Sequence, residues 1–302
     1  MAVAYGNPHN QLDMSAMGRF SFFNKKSELR ALGLYLSADT CWVTAADSSD
    51  ETVLEIPLRS DGWSDLMATI VSHFGPCRLA IVLGAGRYQL LLTDKPSVPE
   101  ADLSDAIKWS VKDMVSEPVT SLQIDYFESP NSSSNKITVV SVSRRALEEL
   151  VHAVDEAKCE VAGIGIEELV TARLFEAESQ ARMVVSHVPG NELLLTVVKG
   201  GELWMQRRVR GFAELNRIDE QDLAFGAADN LSLELQRSMD YFESQLRQPP
   251  VASIEVLTEG AVAALARLLG ANFNQPVSAI SSLPVGHVFA QLACREFMGE
   301  RV

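Results

Sequence analysis

Apolar residues along the chain alternate between two spacings. Between residues 29 and 45 an apolar-rich stretch is split by a polar turn, Ser37–Thr40, which predicts a β-hairpin. Residues 52–58 extend it to a three-stranded meander. The spacing then changes: Trp63, Leu66, Met67, Ile70, Val71 and Phe74 recur at helical intervals and stop at Gly75-Pro76. Short strands are predicted at 79–83 and 88–93, around Gly84-Ala85-Gly86. After the linker 96–99 the pattern reads helix (102–115), two strands (122–127 and 136–142), a Ser143-capped helix (144–157) and a strand (160–164). That order predicts a small inserted α/β unit over 96–163. A helix at 166–175 leads to a second meander, 183–188, 192–198 and 203–209. It is followed by a long helical stretch, 219–245, interrupted at Gly226 and ended by Pro249-Pro250. A strand at 254–257, a helix at 260–269, a strand at 277–280 and a helix at 285–297 close the pattern. A meander followed by a helix occurs in each half, so the pattern predicts an internal duplication: two α/β lobes with a cleft between them.

Charge narrows the classes of function. Among 302 residues there are 26 Lys plus Arg against 40 Asp plus Glu, a formal charge of −14. That balance argues against wrapping nucleic acid and against electrostatic docking of the whole body on anionic lipid. No apolar run approaches the roughly 18 residues of a membrane span. The four cysteines form no Cys-x-x-Cys pair and read as reduced, buried thiols. Residues 1–27 read as a disordered extension; within them, the basic and aromatic stretch 18–26 is read as a frayed terminus before a membrane-touching one.

Motifs for chemistry are sparse. Gly84-x-Gly86 and Gly163-x-Gly165 begin like dinucleotide loops, but Gln89 and Glu168 stand where the third glycine belongs, so both read as turn punctuation. Glu167-Glu168 would repel a phosphate at a helix N-terminus and reads, like Glu148-Glu149, as a solvated acidic face. The five histidines are isolated, and no metal site is expected.

Three segments carry a family likeness: residues 95–110 (Lys-Pro-Ser-Val-Pro-Glu-Ala-Asp-Leu-Ser-Asp-Ala-Ile-Lys-Trp-Ser), Ile124-Asp125-Tyr126, and 233–242 (Leu-Glu-Leu-Gln-Arg-Ser-Met-Asp-Tyr-Phe). With the order of elements, they resemble the PilM-like pilus-assembly branch of the actin-like ATPase superfamily, and within it the MshI subfamily. The resemblance implies a bilobed, duplicated ribonuclease H-like fold of the actin-like type. Its first lobe would span 28–95 and 164–180, with the α/β insertion at 96–163. The second lobe would span 181–302, with a helical subdomain near 212–248.

The departures from the family pattern are informative. In the first phosphate loop, Gly33-Leu34-Tyr35-Leu36-Ser37-Ala38, Tyr35 stands where an Asp would organise Mg²⁺, Ser37 replaces a glycine, and Trp42 lies near a Lys position. The second loop, Ser186-His187-Val188, has lost its Asp and Gly, and the adenosine-side Gly-Gly is Glu259-Gly260. The degenerate nucleotide positions are Ser37, Ala38, Asp39, Pro189, Gly190, Glu234, Arg237 and Gly260, with the turns 36–40 and 188–191 expected to floor the cleft. No ATPase activity and no required cofactor are expected. The resemblance implies a cytoplasmic scaffold that binds the N-terminal peptide of a bitopic inner-membrane PilN-like partner, in a groove involving Pro96, Leu103 and Ile107. The alternative is an actin-like protein that binds ATP as a switch. A GspL-like secretion protein is the structural cousin.

Overall fold

The computed structural model describes residues 29–46, 53–59, 62–131, 134–280 and 283–299. The predicted extension 1–27, with its stretch 18–26, lies outside them. The first sheet has the order β3-β2-β1-β4-β8. Its members are β1 (Arg30–Leu36), β2 (Thr40–Ala45), β3 (Leu54–Pro57), β4 (Cys77–Leu83) and β8 (Glu160–Ile166). The first three strands form the antiparallel meander, and β4 and β8 are parallel to β1. The second sheet repeats this plan with β9 (Arg182–Ser186), β10 (Leu193–Lys199), β11 (Glu202–Val209), β12 (Ser253–Leu257) and β13 (Val277–Ala279), in the order β11-β10-β9-β12-β13. The duplication predicted from the apolar pattern is therefore present as topology.

The period of two within each strand decides the layers. Leu32, Leu34 and Leu36 of β1 face helices α1 (Trp63–Phe74) and α3 (Arg144–Glu156), packing on Leu66, Met67, Ile70, Leu150 and Val154. Tyr35 faces the other way, into a cluster with Val184, Val188 and Leu257 of the second lobe and Phe289 of α8 (Val285–Met298). Because both faces are covered, the strands read as nearly continuous apolar runs. On the far side of the second sheet, Leu231, Leu235 and Phe242 of α6 (Ala228–Ser244) and Leu265 of α7 (Val262–Gly270) cover Met183, Leu195 and Ile254. The predicted interruption at Gly226 is a kink between the short α5 (Glu220–Asp222) and α6, with Gly226 at φ 130°.

A third, antiparallel sheet has the order β5-β7-β6, from β5 (Gln89–Asp94), β6 (Leu122–Glu128) and β7 (Lys136–Ser143). One face packs on α2 (Glu100–Val111). Strand pairing moves the sequence-based boundaries. β5, assigned to the first lobe, pairs with β7. Helix α3 and strand β8, assigned to the insertion, return to the first sheet, because a parallel β4–β8 pair needs a crossover helix packed on the sheet. Helix α8, assigned to the second lobe, crosses back over the first sheet, where Gly286 touches the Trp42 ring. Gly163 and Gly165 are not turn residues either. They lie within β8, and a Cβ on Gly163 would come within 2.2 Å of the Phe297 ring of α8. The helix expected at 166–175 shrinks to one turn, α4 (Glu167–Val170), followed by a 3₁₀ segment, Thr171–Phe175. No helix of the described residues is long and apolar enough to cross a membrane.

Candidate functional site

The duplicated sheets bring their β1–β2 and β9–β10 turns to opposite sides of a cleft of about 570 Å³, lined by Ala38, Ala85, Gly86, Tyr88, Leu90, Gly190, Asn191, Glu192, Gln206 and Arg208. Several backbone donors of both turns are spent internally. The Ser37 N–H donates to Thr40 O at 2.9 Å, and the Ser37 hydroxyl accepts from the N–H groups of Asp39 (3.4 Å) and Thr40 (3.1 Å). The carbonyls of Leu36, Ser37 and Ala38 accept from the Arg87 guanidinium at 3.2, 2.6 and 3.3 Å. Across the cleft, His187 N–H donates to Leu257 O, Gly190 N–H to Ala213 O and Asn191 N–H to Val188 O, while Pro189 has none to give.

Behind the cleft lies a buried polar cluster that joins the lobes. Glu167 and Glu168, 3% and 0% exposed, begin α4 directly after β8. Reading this pair as a solvated face is therefore corrected: α4 runs into the space between the lobes, and the carboxylates are answered there by a cation. Arg208, on edge strand β11 of the second lobe, donates through Nη2 to Glu167, to Glu168 at 2.7 Å and to the Tyr88 hydroxyl at 2.9 Å. The Tyr35 hydroxyl donates to Glu167 Oε2 at 2.9 Å, and the Tyr88 hydroxyl to Glu168 Oε2. The phenol of Tyr35 occupies its space fully. It is 0% exposed, stacks on Phe289, and a Cβ on Gly84 would lie 2.6 Å from its oxygen. Burial and the adjoining carboxylate charges raise both phenol pKa values well above the ordinary one. The Glu168 carboxyl is raised by burial and then by the Glu167 charge. Burial pulls the Arg208 guanidinium down, and the two carboxylates outweigh that and raise it.

The other sequence-predicted residues fall in three places. Ser37, Ala38, Asp39, Pro189 and Gly190 belong to the two turns facing the cleft. Glu234 and Arg237 lie on α6, where Glu234 is held by Arg207 and Arg237 at 2.6 Å each. Gly260 packs on Asn216, and its neighbour Glu259 accepts the Val285 N–H at the start of α8. Neither Glu234, Arg237 nor Gly260 lines the cleft. Leu103 and Ile107 do not line an open groove; their helical spacing turns them into the core formed with Ile137 and Val139, 3% and 1% exposed. Pro96 is half-buried after β5. Sequence reasoning missed Arg208 and Tyr88. The available signal was the cation pair Arg207-Arg208 in edge strand β11, with an acidic pair elsewhere needing a counter-charge.

Comparison with solved structures settles the architecture. The PilM–PilN type IV pilus biogenesis complex superposes with a TM-score of 0.61 at 13% identity, over 88% of this chain and 96% of that one. A Bacteroides thetaiotaomicron protein with an actin-like ATPase fold and unknown function gives 0.50 at 12%, over 91% and 100%. The chain has the actin-like ATPase fold. The cytoplasmic domain of EpsL, an inner-membrane component of the Vibrio cholerae type II secretion system, gives 0.54 at 15%, over 90% and 96%. No family model matches the sequence, and no curated protein matches it.

Proposed function

We propose that this protein is a non-catalytic scaffold of a pilus- or secretion-assembly machine. In this reading it acts at the cytoplasmic face of the inner membrane and takes the extended N-terminal peptide of a PilN-like inner-membrane partner. The likeness in fold to the PilM–PilN complex and to the EpsL cytoplasmic domain supports the machine class. The observation that carries the non-catalytic part is the occupation of the cleft's rear by protein groups. Tyr35, Glu167, Glu168, Tyr88 and Arg208 bond to one another where the resemblance calls for a metal-organising carboxylate. A Mg-triphosphate needs free backbone N–H donors and an open carboxylate. The donors of Ser37, Asp39, Thr40, Gly190 and Asn191 are committed, and the position of the Asp holds a buried phenol. The degraded loops are also what favours the MshI-like subfamily.

An extended peptide is recognised by main-chain pairing with an open strand edge and by apolar contacts at alternate residues. Edge strand β5 offers both, with Leu92 61% exposed and Leu90 on the same face. Calorimetry with the N-terminal peptide of the PilN-like protein from the same cell tests this. The expected result is saturable binding, roughly micromolar, that Leu92→Asp weakens by tenfold or more. A wild-type protein that gives no heat with that peptide contradicts the partner assignment.

A further inference from the structure

All four cysteines are buried, and two of them meet. Cys77 opens β4, and Cys159 stands directly before β8, whose first residue, Glu160, pairs with Arg78 in the parallel ladder. The two sulfurs are 3.5 Å apart, and the Cys77 N–H donates to Cys159 Sγ at 3.4 Å. Residues opposite one another on neighbouring strands have Cα atoms about 4.8 Å apart, inside the roughly 4.4–6.8 Å that a disulfide spans. The turn that delivers Cys159 is itself unusual. Lys158 adopts φ 60°, a left-handed conformation for which glycine is the inexpensive residue. The N–H groups of Lys158 and Cys159 bond back to Asp155 O and Val154 O, at 2.9 and 3.0 Å. The chain thus leaves α3 abruptly and sets Cys159 beside Cys77, in an apolar setting with Leu79, Ala153 and Val154.

From this geometry we infer that Cys77 and Cys159 form a redox modification site, closed to a disulfide by a low-molecular-weight disulfide and stapling β4 to β8. The Cys159 thiolate attacks one sulfur of the small disulfide, forming a mixed disulfide and releasing one small thiolate. The Cys77 thiolate then attacks the Cys159 sulfur and expels the second. The protein loses two electrons and two protons, and both protons end on the two small thiols released. Excess small thiol reverses both steps. Burial and the Cys159 contact raise the Cys77 thiol pKa, so closure is slow at neutral pH and quickens as pH rises. The bond closes a loop from 77 to 159 that contains the whole β5-β7-β6 unit, and it restrains the unfolded chain by that length.

The test uses the full chain, treated with oxidised glutathione at several pH values and read by intact mass and non-reducing peptide mapping. The expected product has lost two hydrogens, carries no glutathione, and yields one linked peptide pair joining Cys77 to Cys159. It melts about 5 °C or more above the reduced protein, and dithiothreitol restores the original melting temperature. Cys77→Ala and Cys159→Ala each abolish the linked peptide, whereas Cys41→Ala retains it. Glutathione adducts without the internal link, an unchanged mass after exhaustive treatment at raised pH, or a linked product that melts no higher than the reduced one overturns the inference.

Discussion

The guanidinium of Arg208 faces the buried carboxylates of Glu167 and Glu168 from across the lobe boundary. Removing one member of a buried ion pair leaves an unanswered charge and costs about 3–5 kcal/mol. Arg208→Met is therefore expected to lower the melting temperature by about 10 °C, and Glu168→Gln in the same chain should recover part of that loss, as a double-mutant cycle in thermal melts will read. Tyr35→Phe removes one buried donor from Glu167 and should cost about 1–2 kcal/mol. Glu168 also gives a pH signature. Its folded-state pKa is raised, so the folded protein holds the proton more tightly than the unfolded one. Its contribution is fully present below the ordinary carboxyl range and is lost as pH rises toward the raised value. His187 and His287, lowered by burial, act with the opposite sign and lose stability as pH falls below the ordinary imidazole value. Denaturant titrations from pH 4 to 8 should therefore show stability relative to Glu168→Gln falling as pH rises; a constant difference contradicts the assignment.

Among the elements, helix α8 is what the sequence disguised most. Its apolar spacing was legible, but spacing names a buried face and not the sheet that buries it. Its partner strands, β1 and β4, lie more than 200 residues earlier. The same limit applies to Leu103 and Ile107, whose helical repeat marks a face correctly while leaving open whether a core or a ligand covers it. The meanders and their duplication were legible because they rest on local alternation and turns. The Glu167–Arg208 pairing was not, because it joins two lobes through residues 41 apart that share no pattern. One prediction belongs to α8: Gly163→Ala would drive a methyl group into the Phe297 ring and should destabilise the chain by about 1–3 kcal/mol. In the Phe297→Ala background the same change should cost clearly less, as urea titrations of the four proteins will show.

Across the whole molecule, the two lobes keep the actin-like ATPase fold while their contact surface is made of side chains. Phe289, Tyr35, Val188 and Leu257 form one apolar cluster between the sheets, and the Arg208 cluster closes its polar end. Contacts of this kind between the lobes are what the proposed docking platform calls for. A ligand present at 100 times its dissociation constant would stabilise the fold by about 2.7 kcal/mol, an effect that thermal melts resolve easily. The most direct measurement is calorimetric titration of the intact protein with Mg-ATP. The account predicts no saturable heat up to about millimolar nucleotide, equivalent to binding no tighter than about −4 kcal/mol. Saturable binding at micromolar Mg-ATP would contradict it.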